Sequence, residues 1–330
     1  MRAMTISEFG GPEMFEESVL PMPAVAAGQV LLRVKASSVN PVDAKIRSGM
    51  LATIAPGEPR VLGCDVAGIV EEIGEGVADF MPGDLVYGAP CGVKDCGGAL
   101  AEWIVADADC LALLPEGMAF TTAATLPLVG ITAWEGLYDR AEVAPGQTVL
   151  VHGGAGGVGQ MAVQLAVCAG ARVFATVSTA AKAKLVRNLG ATPILYPECS
   201  VADYVDKHTA GRGFEIVFDT VGGDNVAKCF EAAALSGQVV SISTRTSADL
   251  SPLHAKGLSL HVVFMLIPLL QGHGRARHGE ILTELSALVE AGKIKPLLHP
   301  EIFSFADVGK AHALLASGEA VGKIALRAWD

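Results

Sequence analysis

The chain is poor in positive charge and in aromatic side chains. Its 24 Lys and Arg face 35 Asp and Glu, which gives a formal net charge of −11, and 5% of its residues are Phe, Trp or Tyr. A nucleic-acid surface needs a basic face to bind phosphates. We therefore expect no nucleic acid among its main partners.

Signal-like and membrane-spanning runs are also missing. The N-terminus, MRAMTISEFGGPEMF, lacks the apolar core of a signal peptide. The most apolar run, Leu258–Leu270, contains His261 and Pro268 and is too short to cross a bilayer. The seven cysteines are scattered and odd in number, which is typical of reduced thiols. We expect a cytoplasmic protein with no membrane partner.

The 330 residues are more than one ordinary core holds, so two domains are expected. Residues 1–125 contain short alternating runs, such as Val30–Ala36 and Ala67–Ile73, separated by frequent Gly and Pro. This pattern predicts a compact β-barrel. Residues 266–292 are expected to form a connecting helical region, and residues 293–330 return to extended chain, a helix and a last strand.

Residues 126–265 alternate between strand and helix patterns, which predicts an α/β domain with a doubly wound parallel sheet. The predicted strands after Val149–His152 are Arg172–Ser178, Thr192–Tyr196, Phe214–Asp219, Gln238–Ser243 and Leu260–Phe264. The predicted helices between them are Gln160–Ala169, Ala180–Leu189, Val201–His208 and Asp224–Ala234.

A glycine-rich turn follows the first of these strands. Gly154, Gly156 and Gly159 form G-x-G-x-x-G between a strand and a helix, the context that a dinucleotide fingerprint requires. Gly154 is expected to allow the tight turn, Gly156 the approach of a pyrophosphate, and Gly159 close packing of helix on strand. The N–H groups at the helix start then face the phosphates.

The next predicted strand ends without a carboxylate. An NAD site places Asp or Glu about 20 residues past the fingerprint to bind the ribose 2′-hydroxyl. Here the strand ends in Thr176-Val177-Ser178-Thr179, and Lys182 follows. A cation at that place attracts a 2′-phosphate. Ser178 and Lys182 therefore favour NADPH over NADH.

Several spaced motifs resemble the medium-chain dehydrogenase/reductase superfamily, in its zinc-independent quinone oxidoreductase (zeta-crystallin-like) branch. They are Val39-Asn40-Pro41-Val42-Asp43, Gly63–Gly68 (GCDVAG), Phe80–Val86 (FMPGDLV), Leu126–Trp134 (LPLVGITAW), Ala155–Gly159 and Gly322–Leu326 (GKIAL). The resemblance implies a GroES-like domain from residues 1–125 completed by 293–330, a Rossmann domain over 126–265, and a site between them. It implies further cofactor contacts at Ala155, Gly157, Val158, Tyr196, Gly223, Ser243, Thr244, Arg245, Val262, Phe264 and Lys323.

The resemblance also allows a prediction about metal binding. The positions that hold catalytic zinc in zinc-dependent relatives correspond to Asn40, Cys64 and Val129, which cannot supply the three protein ligands a catalytic zinc needs. The structural zinc lobe would fall near Cys91 and Cys96, where two thiols do not fill a tetrahedral site. We expect no metal, two free thiols at these positions, and a small buried residue at Cys64.

Without a Lewis acid, the expected acceptors are those that take hydride readily, namely quinones or α,β-unsaturated carbonyls. Asn40 is the candidate hydrogen-bond donor to the developing oxyanion, and Asp43 and Cys64 are the other candidate catalytic residues. A turn that only shapes the barrel is the alternative for Asn40 and Asp43. Many relatives carry a tyrosine where this chain has Met50-Leu51, so a solvent proton is the expected substitute.

Other functions stay open. They are an enoyl or alkenal reductase, a zinc-type alcohol dehydrogenase, and a non-catalytic NADPH-binding protein like the lens crystallins. The group His273, Arg275, Arg277 and His278 could bind an acidic substrate, but a solvated loop is the favoured interpretation. The apolar edge strand Leu260–Phe264 predicts a homodimer.

Overall fold

A computed structural model describes residues 1–329. Its strands, in chain order, are β1 (Arg2–Ile6), β2 (Phe15–Val19), β3 (Gln29–Ser38), β4 (Arg60–Val61), β5 (Val66–Ile73), β6 (Leu85–Gly88), β7 (Trp103–Asp107), β8 (Leu111–Leu113), β9 (Thr148–His152), β10 (Arg172–Val177), β11 (Thr192–Leu195), β12 (Phe214–Asp219), β13 (Ala233–Ser241), β14 (Ser259–Val262), β15 (Phe303–Ser304) and β16 (Ala325–Arg327).

The α-helices are α1 (Pro41–Arg47), α2 (Phe120–Ala123), α3 (Pro127–Trp134), α4 (Gly157–Cys168), α5 (Ala180–Asn188), α6 (Val201–Thr209), α7 (Asn225–Ala232), α8 (Ser251–Lys256), α9 (Ile267–Gln271), α10 (Ala276–Glu290) and α11 (Val308–Ser317). Short 3₁₀ turns cover Pro12–Met14, Ala52–Ile54, Ala108–Cys110, Tyr196–Glu198 and Phe305–Asp307. Over the described part of the chain, no helix has the length and apolarity that crossing a bilayer requires.

The chain divides into two units. The first unit contains Met1–Leu128 together with Leu266–Asp330, and the second contains Val129–Met265. The region 266–292, expected as a connection, belongs to the first unit. There α10 packs on β6, on β8 and on the 3₁₀ turn Ala108–Cys110, and a Cβ at Gly279 would lie 2.6 Å from the carbonyl oxygen of Asp109.

Two sheets build the first unit. A seven-stranded sheet has the order β15-β16-β3-β5-β6-β8, with β7 also paired to β3, and a three-stranded sheet has the order β2-β1-β4. The central strand β3 is buried along most of its length because its residues contact β5, β7 and β16. The C-terminal strand β16 therefore completes a sheet that begins near the N-terminus.

The second unit is built on a six-stranded parallel sheet with the order β11-β10-β9-β12-β13-β14. This confirms the predicted doubly wound sheet. One part of its core lies with α6 and α7 and includes Phe174, Tyr204, Phe214 and Phe230. The strand order reverses beside β9, and in such sheets a ligand binds at the carboxyl ends of the strands next to that reversal.

Two elements of the second unit are irregular. Residues Glu135–Arg140 form a π-helical turn that continues α3. Strand β13 begins at Ala233, five residues before the predicted start. Ala233 already pairs with Phe214 of β12, and the pairing continues at Gln238 after an irregularity between Phe214 and Ile216. Neither departure moves the carboxyl end of a strand by more than two residues.

Candidate functional site

The strand ends of the second unit lie in register along one edge of its sheet. His152 of β9 pairs with Asp219 of β12, and Asp219 in turn pairs with Ser241 of β13. On the other side, Val177 of β10 pairs with Leu195 of β11. The loops that follow these residues therefore begin at the same edge. Except for Lys323, which belongs to the first unit, the predicted cofactor residues lie in or next to the loops at this edge.

The glycine-rich turn lies at the centre of this edge. Its left-handed residue is Gly153 (φ +72°). Gly154 is required by close packing, because a Cβ there would lie 2.6 Å from the Cβ of Ala175. Thr176 fixes the turn, since its Oγ1 accepts from Gly153 N at 3.2 Å and its carbonyl from Gly154 N at 3.1 Å.

Gly156 and Gly159 differ in the space around them. A Cβ at Gly159 would collide with the backbone carbonyl of Gly153, so the helix lies against the turn that follows β9. A Cβ at Gly156 would meet only the carbonyl oxygen of Gly153, at an unstrained 3.4 Å. Gly156 is exposed and is the N-cap of α4, whose first turn contains Gly157 and Val158. The backbone here is open to a ligand, and the N–H groups of a helix's first turn suit an anion.

The residues expected to select the nucleotide follow two adjacent strands. Ser178 comes directly after β10, Tyr196 directly after β11, and Lys182 lies in the first turn of α5. Tyr196 is 53% exposed, so its ring is available to a partner. Thr179 caps α5 by accepting from Lys182 N at 3.2 Å. That bond uses the backbone of Lys182 and places no restraint on its ammonium.

The loops beyond β12, β13 and β14 hold the remaining predicted contacts. Gly223 has a left-handed φ of +59°, and Ser243 and Thr244 are half-buried. The other three side chains, Arg245, Val262 and Phe264, are exposed. Asp219 caps the turn at the start of the first of these loops, accepting from the backbone N–H groups of Val221 and Gly222.

His152 is a neutral, buried histidine at the end of β9. Burial lowers its pKa to about 4. Its Nδ1 lies 3.2 Å from Thr176 Oγ1, and its carbonyl accepts from Thr220 Oγ1 at 2.7 Å. The side chain therefore ties the glycine turn to β10, and its carbonyl ties the turn to the loop after β12.

A buried polar cluster occupies the first unit, and Asp65 is its centre. One carboxylate oxygen of Asp65 accepts from Ser38 Oγ at 2.5 Å, Asn40 Nδ2 at 2.8 Å and Lys323 Nζ at 3.2 Å. The other accepts from the backbone N–H of Leu128 at 2.8 Å. A buried carboxylate is stable only when it is paired and hydrogen-bonded in this way.

Lys323 lies in this cluster as its cation. Its ammonium donates to Val39 O at 3.1 Å, to Asn40 Oδ1 at 2.5 Å and to Asp65, so all three N–H groups have acceptors within the first unit. The lysine side chain is 4% exposed. The predicted contact of Lys323 with the cofactor is not supported by this geometry, because the ammonium is already fully hydrogen-bonded.

The three predicted catalytic side chains, Asn40, Asp43 and Cys64, are all buried in or beside the cluster. The Asn40 amide is held at both ends, with its oxygen toward Lys323 and its nitrogen toward Asp65. Asp43 caps α1 by accepting from Asn40 N at 2.9 Å. Contact of these groups with a substrate stays a prediction, and the structure places them as an interior network.

Burial changes the ionisation of two members of this network. Burial, and then the nearby negative charge of Asp65, raise the pKa of Asp43 to about 6. Burial also raises the pKa of the Cys64 thiol well above its usual value, and the neighbouring Asp43 and Asp65 carboxylates add to this. Cys64 is therefore protonated at neutral pH and does not serve as a thiolate.

The comparisons with known proteins cover nearly the whole chain. Residues 26–116 match the family described as alcohol dehydrogenase GroES-like domain, and residues 157–268 match the family described as zinc-binding dehydrogenase. A chloroplastic NADPH-dependent alkenal/one oxidoreductase of Arabidopsis thaliana is 36% identical over 98% of this chain and 78% of its own. The quinone oxidoreductase of Rattus norvegicus is 30% identical over 99% and 97%.

A solved structure supports the same relationship. A mycobacterial protein in complex with NADPH is 31% identical, with a TM-score of 0.86 over 99% of this chain and 100% of that one. The chain belongs to the medium-chain dehydrogenase/reductase superfamily. Its relatives fit the quinone oxidoreductase branch, as the motifs suggested.

Some members of this superfamily bind zinc, but the ligand atoms that this chain offers do not fit a zinc ion. At the expected place, Asn40 and Cys64 are the available heteroatoms, and the Asn40 oxygen already accepts from the Lys323 ammonium. A dication beside that ammonium would be repelled, and one thiol does not supply the three protein ligands that a catalytic zinc needs. Among residues 1–329, no three His, Cys, Asp or Glu side chains converge in a way that would hold a metal ion.

Two predictions about loops in this superfamily member were wrong. Cys91 and Cys96, expected as free thiols, form a disulfide with their Cα atoms 5.0 Å apart, because the intervening residues turn back on themselves. Arg275 and His278 do not form a solvated basic loop. Arg275 pairs with Asp107 at 2.6 Å, and His278 is buried in α10.

The sequence interpretation did not identify Asp65 or Ser38 as members of the central cluster. One signal for Asp65 was present, since it is the charged residue in the otherwise apolar or small run Leu62–Ala67. A carboxylate in such a run must be paired if the run is buried. No comparable local signal points to its partner Lys323, which lies 258 residues away.

Proposed function

We propose that the protein is an NADPH-dependent oxidoreductase that reduces a quinone or an α,β-unsaturated carbonyl without zinc. The observation that carries the proposal is the carboxyl edge of the second unit's sheet. Three features are adjacent at this edge. They are the open backbone at Gly156, the start of α4, and the ends of β10 and β11. The printed names of the Arabidopsis and rat relatives, which include NADPH, alkenals and quinones, support the same assignment.

The residues of this edge divide the binding of NADPH between them. The N–H groups of Gly157 and Val158 and the positive end of the α4 dipole would hold the pyrophosphate beside Gly156. Ser178, Lys182 and Tyr196 would hold the 2′-phosphate, since no carboxylate follows β10 to repel it. When bound, NADPH supplies the hydride, and the protein supplies binding and orientation.

In the first unit, the network around Asp65 would support the acceptor side of the reaction. Asn40 is the proposed donor to the developing oxyanion, with an amide whose orientation is fixed by Lys323 and Asp65. Because Asn40 is fully buried, a substrate oxygen reaches this amide only after the covering chain moves. If the covering chain does not move, Asn40 does not touch the substrate and acts only as a positioning residue. The proton that completes the reduction comes from solvent, since Met50-Leu51 provide no phenol.

A side-by-side substrate screen tests this proposal. We expect NADPH to be consumed with 1,4-naphthoquinone, 9,10-phenanthrenequinone, an enone or a trans-2-enoyl substrate, far faster than with a saturated ketone, and to be preferred over NADH. A metal chelator should leave the rate unchanged. Binding of NADPH without any turnover would identify a non-catalytic nucleotide-binding protein, and a chelator-sensitive ketone or alcohol activity would identify a zinc-type dehydrogenase.

We also propose a homodimer formed through β14 and a cytoplasmic location. Strand β14 pairs only with β13 in the described chain, so its other edge is available, and Leu260, Val262 and Phe264 are exposed in and next to it. An apolar strand edge of this kind is usually covered. Five of the seven cysteines are free thiols, which supports a reducing compartment.

A further inference from the structure

A cavity lies within the first unit, and all the residues that line it belong to that unit. Its volume is about 580 Å³, within the range of small-molecule sites. Apolar side chains such as Trp103 and Leu270 line it together with two cations, Lys94 and Arg275, and two carboxylates, Asp95 and Asp107. The wall thus offers both apolar surface and charges of both signs.

The Cys91–Cys96 disulfide meets this cavity through one of its two residues. Cys96 is half-buried and lines the cavity, whereas Cys91 is fully buried and does not. The ring of residues between them is closed by hydrogen bonds from Gly92 N to Cys96 O and from Cys96 N to Val93 O, both at 3.1 Å. A thiol that enters the cavity therefore meets Cys96 first.

The ring also packs against the chain that leads into the buried cluster. A Cβ on Gly92 would lie 2.8 Å from Gly63 O and 3.1 Å from Cys64 N. Just beyond the ring, Ala99 N donates to Gly63 O at 2.9 Å. The ring therefore packs directly against the backbone of Gly63 and Cys64.

We propose that Cys91–Cys96 is a thiol–disulfide exchange site for a small zwitterionic peptide thiol that binds in this cavity. The thiolate of the peptide attacks Cys96 Sγ, a bond forms between these sulfurs, and the Cys91–Cys96 bond breaks. Cys91 leaves with the electron pair and takes up the proton that the peptide thiol lost. A second peptide thiol then releases Cys96 as a thiol and forms the peptide disulfide, so two thiols are oxidised and one protein disulfide is reduced.

The charged side chains of the cavity favour a zwitterion over a simple anion. The Lys94 ammonium donates to Leu270 O at 3.1 Å at the cavity wall, where a carboxylate of the peptide can pair with it. Asp95 is exposed beside it and suits the peptide's α-ammonium. A thiol without charges would gain neither contact. The test of this site is independent of the proposed oxidoreductase activity, because it measures the mass of the modified protein and not the turnover of NADPH.

Reduced glutathione is the probe. The full chain, purified without reductant, is incubated with glutathione or with uncharged 2-mercaptoethanol, quenched in acid and mapped by peptide mass spectrometry. We expect a glutathione adduct on Cys96 with Cys91 released as a free thiol. Replacing Lys94, which has a φ of +50° that asparagine tolerates, by Lys94→Asn should slow the glutathione reaction by about fivefold. The same substitution should slow the reaction with 2-mercaptoethanol by less than about twofold.

Three further variants complete the design. Cys168→Ser, which removes a half-exposed free thiol, should leave the Cys96 adduct unchanged. Cys96→Ser should abolish modification of the ring, and Cys91→Ser treated with glutathione disulfide should still be modified at Cys96. The proposal is overturned by an adduct on Cys91 in the parent protein, by two free thiols in the unreduced protein, or by equal effects of Lys94→Asn on the two reagents.

Discussion

Lys323 neutralises Asp65 at the centre of the buried cluster, and both side chains are almost fully enclosed. Asp43 lies close enough for the charge of Asp65 to raise its pKa, so the cluster holds two carboxyl groups near one cation. Removing one partner of a buried ion pair is costly, because the remaining charge loses its compensation. The stability of the first unit should therefore depend strongly on this one lysine.

We expect Lys323→Met, which keeps the length of the side chain and removes its charge, to lower the free energy of unfolding by about 3–5 kcal/mol. Lys310→Met is the matched control, since Lys310 is 76% exposed and pairs with Asp307 on the surface, and it should change stability far less than Lys323→Met does. Urea unfolding followed by circular dichroism measures both. Equal losses in the two variants would mean that the buried pair carries no special stability.

At the scale of single elements, the glycines between the turn and α4 are required for two different reasons, namely packing of the helix and space for a ligand. Gly159 is required by packing, whereas Gly156 has room for a side chain and a φ of −77° that alanine adopts freely. A methyl group at Gly156 would instead occupy space beside the first turn of α4, where the pyrophosphate is proposed to lie.

Gly156→Ala should therefore leave the melting temperature nearly unchanged and weaken NADPH binding at least tenfold, as measured by calorimetry. Gly159→Ala should lower the melting temperature, since its Cβ would collide with the carbonyl of Gly153. Unchanged NADPH affinity in Gly156→Ala would place the nucleotide somewhere other than this turn.

The sequence predicted elements better than it predicted distant pairs. Strand and helix patterns, which depend on neighbouring residues, gave the parallel sheet and placed β12 at its observed bounds. The ion pair of Lys323 with Asp65 and the salt bridge of Arg275 with Asp107 join residues more than 160 positions apart, so no local pattern specifies them. The Cys91–Cys96 bond is local, but its formation depends on the turn between the two residues, which their spacing alone does not determine.

At the scale of the whole molecule, the exposed edge of β14 bears on assembly. If two copies pair there, the protein in solution should have twice the 34.0 kDa mass of the chain. Leu260→Lys places a charge on this edge and should shift light scattering toward the monomer. Met81→Lys changes an exposed apolar residue of the first unit and should leave the mass unchanged. A monomeric parent protein would refute the dimer.

The two units differ in how their chain is divided. The second unit is one continuous segment, whereas β3 of the first unit pairs with β16, and Asn40 bonds to Lys323. At a ribosomal rate of 5–20 residues per second, β16 emerges roughly 10–40 s after the first segment is made. During that interval the nascent chain carries Asp65 without its cation and β3 without its last partner. The second unit is one continuous segment, so its whole chain is available before β16 emerges, whereas the first unit is completed last.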